Sequence, residues 1–212
     1  MQTQSMSALP KSPYITEEEY LAGEERSTVK HEWLDGVVYA MAGGSFNHAL
    51  LCHTTSGAAR NALQGKPCRS LGSEIKIKVE SNGQYVYPDT VIYCPPSRFV
   101  GKGDSALVTP KVIFEVLSPT TRDYDRAGKF ALYKTIPTFE EYVLIEPDQM
   151  WVDHYHCVEN GWVHQSFNRR QDVLKLESVG IEMTLDEIYD QLELPEGLFA
   201  FAPSAQNSGV EE

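Results

Sequence analysis

Residues 112–118 read VIFEVLS, and this stretch decides the fold because it places one carboxylate, Glu115, inside an apolar run. A nearly continuous run of branched and aromatic residues is typical of a central strand that is covered on both faces. Acidic side chains are almost never fully buried without a partner. Asp89, in the sequence Tyr87-Pro88-Asp89, stands in a second run of this kind. The two carboxylates therefore predict either a shared cation or a proton-transfer task.

The chain around these two runs has the composition of one globular domain. It contains 212 residues, of which 42% are hydrophobic and 23% are charged. We expect one domain over residues 14–200, a disordered tail over 1–13 and a flexible acidic tail over 201–212. No apolar stretch approaches the ~20 residues that span a bilayer, and the first thirteen residues lack the apolar centre of a secretion signal. We therefore expect a cytoplasmic protein with no membrane partner.

Charge and cysteine content exclude some classes of protein. A net charge of −12 argues against a general cationic surface for nucleic acid, which gains most of its affinity from released counterions. A nucleic-acid substrate is then expected to bind weakly or with the help of a partner. The cysteines are widely spaced, with no Cys-x-x-Cys pair, and are expected to be free thiols; they are Cys52, Cys68, Cys94 and Cys157.

The sequence pattern predicts a fold of the α/β (α+β) class, in which a mixed β-sheet is flanked by helices. Additional antiparallel hairpins are expected. Thr16 and Glu19 have capping-box spacing for a helix to Gly23, and Asp35-Gly36 favours a tight hairpin turn. The other predicted helices are 47–63, largely buried, 124–135, and a closing helix from a Thr184 cap to Leu192. The other predicted strands are 30–34, 37–42, 75–79, 85–93, 112–117, 141–145, 151–158 and 162–167.

The carboxylates have the chemistry of a magnesium site. Mg²⁺ takes oxygen ligands, usually from one or two carboxylates, backbone carbonyls, water and substrate phosphate. Asp89 and Glu115 converge if their two strands pair, since paired strands lie roughly 5 Å apart. Glu32, in the first strand, and Lys129, in the following helix, are further candidates. The helix carries a face suited to phosphate, formed by side chains at spacings of three to four residues: Arg122, Arg126, Lys129 and Tyr133.

Simpler interpretations stay open for these residues. Asp89 can accept backbone hydrogen bonds in a turn, and Glu115 can form a buried salt bridge with Lys129 or an arginine. His154 and His156 lie on one face of a predicted strand with zinc-compatible spacing, but no third ligand is evident, and an exposed strand face is preferred.

With these residues in view, the chain resembles the Uma-type family of bacterial restriction-endonuclease-like proteins, a domain of unknown function placed in the PD-(D/E)XK nuclease superfamily. The resemblance extends from about residue 15 to residue 199. The matching segments, in order, are TEEEY at 16–20, HEWLDG at 31–36, Met41, His48, Pro88-Asp89, VIFEVLSPT at 112–120, Asp125, Lys129, Tyr133, Ile136-Pro137 and EYVLI at 141–145.

This resemblance implies a metal site in which Asp89, Glu115 and the carbonyl of Val116 bind Mg²⁺ or Mn²⁺, with Glu32 as an accessory acid. The superfamily lysine two residues after the second acid falls here on Leu117, which has no charge. The resemblance points to Lys129, reaching in from the helix, as its replacement.

The sequence thus leads to an endonuclease that hydrolyses phosphodiester bonds with Mg²⁺ or Mn²⁺. Its catalytic residues are expected to be Glu32, Asp89, Glu115 and Lys129, and Arg122 and Arg126 are expected to bind substrate phosphate. DNA is the expected partner, and a homodimer is expected because cleavage of a duplex is commonly solved by pairing two sites. The alternative is an inactive dimeric binding module on the same fold, with the carboxylates in a buried ion network.

Overall fold

The computed structural model describes residues 14–41 and 43–194. The helices in this part of the chain are α1 Glu17–Glu24, α2 Phe46–Ala62, a π-helical segment Tyr124–Lys129 continuing into α3 Phe130–Tyr133, and α4 Leu185–Ile188. The strands are β1 His31–Leu34, β2 Val37–Ala40, β3 Arg69–Gly72, β4 Lys76–Val79, β5 Gln84–Val86, β6 Thr90–Tyr93, β7 Phe99–Val100, β8 Ala106–Leu107, β9 Val112–Val116, β10 Glu141–Ile145, β11 Val152–Val158, β12 Gly161–Phe167, β13 Val173–Leu176 and β14 Ile181–Thr184.

The described strands form two six-stranded sheets and one hairpin. The first sheet has the order β2-β1-β5-β4-β8-β7, the second has the order β12-β11-β10-β9-β6-β3, and β13 pairs with β14. All of β9 is buried, and it pairs in parallel with β10 and antiparallel with β6. The predicted mixed α+β architecture with a covered central strand is therefore confirmed.

Several local predictions are confirmed by hydrogen bonds. The Thr16 hydroxyl accepts from the backbone N–H of Glu19, whose carboxylate in turn accepts from Thr16. Asp35 and Gly36 both have positive φ angles, 48° and 81°, as a tight turn between twisted strands requires. Helix α2 runs nearly as predicted, but the prediction that it is largely buried is wrong, because only one side of it packs against the second sheet.

The predicted strand over residues 85–93 is wrong as a single element. The chain leaves β5 after Val86 and enters β6 at Thr90, and these two strands belong to different sheets. Pro88 lies in the crossing, where its missing N–H removes a donor that a continuous ladder would need. Asp89 consequently lies at the start of a strand, beside the crossing between the two sheets.

The C-terminal part of the described chain departs most from the prediction. The capping box of Thr184 and Glu187 forms, but α4 ends at Ile188 rather than at Leu192. The β13–β14 hairpin before it was not predicted, and it packs Leu174 and Leu176 into the core formed with α2. The capping signal predicted where this helix begins but not where it ends.

The prediction that all four cysteines are free is wrong for two of them. Cys68 and Cys94 form a disulfide. Arg69 pairs with Tyr93 in the antiparallel β3–β6 ladder, so the residues just beyond this pair lie opposite each other at bonding distance. Cys52 and Cys157 are free thiols. The pairing depends on a strand, β3, that the sequence pattern did not reveal.

The predicted tails, residues 1–13 and 201–212, lie outside the described residues, as does Ala42 at the end of the predicted second strand. Among the helices that the structure describes, none has both the length and the apolar character needed to cross a bilayer.

Candidate functional site

The two carboxylates singled out by the sequence lie beside each other at one end of the central strand. Thr90 of β6 pairs with Phe114 of β9 in antiparallel register. Asp89 precedes Thr90 and Glu115 follows Phe114, so the same register carries the two acidic residues to neighbouring positions. The backbone N–H of Val116 donates a 2.8 Å hydrogen bond to Oδ2 of Asp89. The strand pairing that the predicted site requires is present.

Lys129 lies at the centre of a group of acidic side chains next to this strand end. Its Nζ is 3.1 Å from Oε1 of Glu32, 3.2 Å from Oε1 of Glu115 and 3.5 Å from Oδ1 of Asp125. We refer to Glu32, Asp89, Glu115, Asp125 and Lys129 as the carboxylate–lysine cluster. The structure thus brings all four predicted catalytic residues into one region and adds Asp125, which the sequence-based site did not include.

Hydrogen bonds hold the acids of this cluster in place. The Tyr133 hydroxyl donates to Oε1 of Glu115 at 2.8 Å, and the backbone N–H of Tyr87 donates to Oε1 of Glu32 at 3.1 Å. The Thr121 hydroxyl donates to Oδ2 of Asp125 at 2.6 Å. The Glu115 side chain is only 4% exposed. These contacts fix the side chains before any ligand binds, which is the usual property of a preorganised polar site.

The π-helical segment explains how Asp125 and Lys129 reach the same place. Asp125 and Lys129 are four residues apart in this segment, and both side chains lie at the end of β9. Tyr133, which also contacts Glu115, follows in α3. Gly128 is required there, because a Cβ at this position would lie 2.4 Å from the ring of Tyr124. A wider helical turn of this type is frequent at functional sites.

The charge of the carboxylate–lysine cluster is unbalanced. Burial raises the pKa of the Glu115 carboxyl well above its ordinary value of 4.5. Lys129 opposes this shift, but the three neighbouring carboxylates of the cluster raise the pKa further. Burial also lowers the pKa of Lys129, yet the surrounding acids raise it well above 10.5, so the ammonium stays charged. Four carboxyl groups surround one ammonium, and the raised pKa of Glu115 reflects this excess of acidic groups over cations.

A histidine and a cysteine of α2 border the cluster at Asp89. His48 Nε2 is 3.6 Å from Oδ2 of Asp89, and Cys52 Sγ is 3.5 Å from His48 Nδ1. In the described part of the chain, His48, Cys52 and Asp89 are the only three His, Cys, Asp or Glu residues whose ligand atoms all lie within 4.8 Å of one another. Burial and the nearby Asp89 raise the pKa of the Cys52 thiol, so it stays protonated. The i, i+4 spacing of His48 and Cys52 was a usable signal that the site prediction did not use.

The predicted phosphate-binding arginines lie in a second group of charges. Arg122 Nη1 donates to Oε1 of Glu146 at 2.8 Å. Arg126 donates to Oδ2 of Asp153 at 2.8 Å and to Oε1 of Glu146 at 2.9 Å. We refer to these four residues as the arginine–carboxylate cluster. The helical face predicted for phosphate is therefore divided between two clusters, and phosphate binding by Arg122 and Arg126 stays a prediction.

The prediction that His154 and His156 lie on an exposed strand face is wrong for His154. This imidazole is 3% exposed, and its Nε2 lies 2.6 Å from Oε2 of Glu141. The backbone N–H of Ser178, in the turn of the β13–β14 hairpin that the prediction did not include, donates a 2.8 Å hydrogen bond to Oε1 of the same Glu141.

Comparison with known proteins agrees with the predicted family and with the fold. The profile of the Uma2 family, described as "Putative restriction endonuclease", matches residues 17–186. "Uncharacterized protein slr1290" of Synechocystis sp. is 37% identical over 183 residues, covering 85% of this chain and 95% of that protein. "Uncharacterized protein sll1609" of the same organism is 30% identical over 159 residues, covering 74% of this chain and 90% of that protein.

One solved structure shows a similar fold. The crystal structure of "a putative nuclease belonging to DUF820" from Anabaena variabilis aligns with a TM-score of 0.62 at 13% sequence identity, covering 80% of this chain and 97% of that one. At this identity the likeness concerns the fold alone. The profile match spans the strands and helices that carry the carboxylate–lysine cluster, and the chain belongs to the Uma2 family.

Proposed function

We propose that this protein is a metal-dependent endonuclease that hydrolyses phosphodiester bonds at the carboxylate–lysine cluster. The observation that carries the proposal is the charge imbalance of that cluster, with Glu32, Glu115 and Asp125 all within 3.5 Å of the single Lys129 ammonium and Asp89 alongside. Buried acids in excess of cations are costly, and a divalent cation removes that cost. Family membership and fold are consistent with nuclease chemistry.

The donor set fits Mg²⁺ or Mn²⁺. Cations of this type bind oxygen ligands, and Asp89 and Glu115 offer carboxylate oxygens at adjacent positions. We assign these two side chains and the carbonyl of Val116 as the metal ligands. When bound, the cation supplies an acidic water and a positive charge at the phosphate. His48 lies beside Asp89, and an imidazole donor favours Mn²⁺ over Mg²⁺, because Mg²⁺ prefers oxygen ligands.

The other residues of the cluster position and balance charge. Lys129 keeps its proton, and its ammonium stabilises the negative charge that develops on a bound phosphate. It takes the role of the superfamily lysine, whose position is occupied here by Leu117. Glu32, held by the Tyr87 amide, orients the Lys129 ammonium and takes the role of the accessory acid. We assign nucleic acid as the phosphodiester substrate, in line with the description of the family. The net charge of −12 favours single-stranded, branched or partner-delivered substrates over tight binding to a duplex.

A second candidate function rests on the closure of the same network. Oε1 of Glu115 is contacted by Lys129 and Tyr133, and both of these side chains are buried. A network of this kind also suits an inactive binding module that keeps the fold of a nuclease. Metal binding separates the two functions, because a binding module would balance its excess acids by protonation and would not need a cation.

Calorimetric titration with Mn²⁺ and with Mg²⁺ tests the proposal, using the full chain and the variants Asp89→Asn and Glu115→Gln. Both variants keep the size of the side chain and one acceptor oxygen, and they replace the other carboxyl oxygen with an amide NH2 that cannot bind a cation. Asp186→Asn is a matched control, because this carboxylate is exposed and pairs only with Arg170 among the residues described. Cleavage of single-stranded and supercoiled DNA is measured on the same samples.

We expect the wild type and Asp186→Asn to bind Mn²⁺ and to cleave. We expect each site variant to lose most of the metal affinity and at least about 100-fold in cleavage rate, which corresponds to ~2.7 kcal/mol of transition-state stabilisation. Absence of metal binding in the folded wild type would overturn the proposal in favour of the binding module. Metal binding without cleavage of any nucleic acid would leave a metal site but refute the nuclease function.

A further inference from the structure

A sulfur and a nitrogen ligand face Asp89 from helix α2. One ring nitrogen of His48, the sulfur of Cys52 and one carboxylate oxygen of Asp89 all lie within 4.8 Å of one another. Cys52 Sγ is 3.5 Å from His48 Nδ1, and His48 Nε2 is 3.6 Å from Oδ2 of Asp89. The ligand atoms of one tetrahedral zinc ion are roughly 3.5 Å apart, given the lengths of Zn–S and Zn–N bonds. The two short contacts use different ring nitrogens, so one nitrogen serves an ion after a small adjustment of the His48 ring.

The start of α2 holds these side chains in position. His48 and Cys52 are one helical turn apart and project from the same face of the helix. The Ser45 hydroxyl caps this helix by accepting a 3.2 Å hydrogen bond from the His48 backbone N–H. Gly44 packs against the imidazole, because a Cβ at this position would lie 2.6 Å from Nδ1 of His48. The ring is thus confined between the preceding loop, the Cys52 sulfur and Asp89.

An ion can reach these three ligands from solvent. The side chains of His48 and Asp89 are 21% and 12% exposed, and Cys52 is a partly buried free thiol. Three protein ligands leave one position of a tetrahedral ion for water, which is the arrangement of zinc sites that stay open to solvent. The group is therefore accessible, unlike a ligand set closed inside the core.

The ligand types distinguish this group from the proposed magnesium or manganese site. Glu115 and the Val116 carbonyl offer oxygen alone, whereas Cys52 and His48 offer sulfur and nitrogen, which select zinc-class ions. Without a metal, burial and Asp89 raise the pKa of the Cys52 thiol. Coordination to a zinc-class ion displaces the thiol proton to solvent. Asp89 is the residue that belongs to both ligand sets.

We propose that His48, Cys52 and Asp89 bind a zinc-class cation, which competes with the catalytic Mg²⁺ or Mn²⁺ for Asp89. An ion on the α2 side draws this carboxylate away from the ligands on β9, and two dications that share one carboxylate repel each other. A zinc-class ion thereby inhibits cleavage. Zinc binding stands on the geometry at α2 alone, whereas the competition rests on the proposed function.

Zn²⁺ calorimetry and the absorption spectrum of bound Co²⁺ test this site on the untagged full chain, handled without air so that free thiols stay reduced. A thiolate bound to Co²⁺ gives a charge-transfer absorption, so the spectrum reports the sulfur ligand. Cys52→Ser is the primary variant, because it removes the sulfur at nearly constant size. Cys157→Ser is its matched control, since Cys157 is a free thiol that is exposed. His48→Ala is the second variant, with His164→Ala as control, because the ring of His164 is 47% exposed.

We expect the wild type and both control variants to bind one Zn²⁺ per chain and to show the sulfur absorption with Co²⁺. Cys52→Ser is expected to lose that absorption and at least about 100-fold in Zn²⁺ affinity, and His48→Ala to lose affinity to a similar degree. Circular dichroism confirms that each variant is folded. The zinc site is overturned if the folded wild type binds no stoichiometric Zn²⁺, or if Cys52→Ser and Cys157→Ser bind it equally.

Titration of Mn²⁺ with and without bound Zn²⁺ tests the competition. We expect one equivalent of Zn²⁺ to weaken Mn²⁺ binding by the wild type at least about 10-fold, which corresponds to ~1.4 kcal/mol. Glu115→Gln should lose Mn²⁺ binding and keep Zn²⁺ binding, because Glu115 belongs to the oxygen ligands only. Unchanged Mn²⁺ affinity in the zinc-loaded wild type would refute the competition. Zn²⁺ binding through Cys52 in a protein that neither binds Mn²⁺ nor cleaves would refute the nuclease function and leave the zinc site in place.

Discussion

The carboxylate–lysine cluster and the arginine–carboxylate cluster lie on the same helical segment and the same face of the second sheet, yet their charges differ. In the first, four acids surround Lys129. In the second, Arg122 and Arg126 meet Glu146 and Asp153, so that charges of opposite sign are equal in number.

The pKa shifts of the two clusters have opposite directions. Burial raises the pKa of Asp153, but hydrogen bonds from neighbouring donors outweigh it and lower the pKa below the ordinary 3.8; the donors are Ser166, Arg126, His164 and Trp151. In Glu115, burial and like charges outweigh Lys129, and the pKa is raised. Opposite charges balance each other in the second network, whereas the surplus acids of the first are the reason for which we propose a cation there.

The largest effect is expected when the only cation of the first cluster is removed. Lys129→Met leaves three nearby carboxylates without their counterion, and removal of one partner from a buried ion network typically costs about 3–5 kcal/mol. Urea unfolding in EDTA measures this loss. Lys175→Met, in an exposed pair with Glu182, serves as the control, with an expected loss below about 1 kcal/mol. Equal losses in the two variants would show that Lys129 is not the centre of a buried network.

Metal binding is expected to stabilise only through the first cluster. At a Mn²⁺ concentration of 100 times Kd, the free energy of unfolding should rise by about 2.7 kcal/mol. We expect this gain in the wild type and in Asp153→Asn, and not in Glu115→Gln. Thermal unfolding with and without Mn²⁺ measures it. A gain that is lost in Asp153→Asn but kept in Glu115→Gln would show that Mn²⁺ binds at the arginine–carboxylate cluster and would contradict the proposal.

A smaller effect is expected from the balanced cluster. Arg126→Met removes two charge-assisted hydrogen bonds from a side chain that is 32% exposed, and we expect a loss of about 2 kcal/mol in unfolding free energy. Arg170→Met, in an exposed pair with Asp186, is the control and should lose less than about 1 kcal/mol. If Arg126→Met kept its stability but lost affinity for single-stranded DNA, the sequence-based prediction of phosphate binding would be favoured instead.

This comparison also shows what the sequence could predict. Glu115 was identifiable because an acid inside VIFEVLS needs a partner whatever the fold. The chain between Asp89 and Glu115 is long enough to reverse direction, so pairing of their strands was possible but not determined by the sequence. The division of Arg122, Arg126, Lys129 and Tyr133 between two clusters was not identifiable. It depends on which strands lie beneath the helix and on a π-helical turn that no local propensity encodes.

The burial of His154 and the Cys68–Cys94 bond were missed for the same reason. Both depend on four-residue strands that the prediction did not include. RSLG in β3 has no two-residue alternation, whereas VLKL and IEMT in the β13–β14 hairpin do alternate and were a signal that the prediction did not use. Capping boxes at Thr16 and Thr184 were predicted correctly, because all of their atoms lie within four residues of sequence. Signals contained in one turn of chain were readable, whereas contacts between distant segments were not.

The smallest effect per step of the experiment, and the sharpest contrast between the clusters, is expected in the dependence of stability on pH without metal. Because the pKa of Glu115 is raised in the folded protein, the native state holds a proton that the unfolded chain has lost at pH values above 4.5. Its contribution is present below that pH and is lost as pH rises through the folded-state pKa, by at most about 1.4 kcal/mol per pH unit.

Asp153 has the opposite sign. Its pKa is lowered below 3.8, so its stabilisation is present above that pH and is lost as pH falls through the folded-state pKa. Urea unfolding in EDTA across this range, for the wild type, Glu115→Gln and Asp153→Asn, separates the two contributions. Glu115→Gln should lose less stability than the wild type as pH rises above 4.5, and Asp153→Asn should lose less as pH falls below 3.8. Curves that change in the same direction in both variants would mean that the clusters do not differ in charge balance, and the reason for placing a cation at Glu115 would disappear.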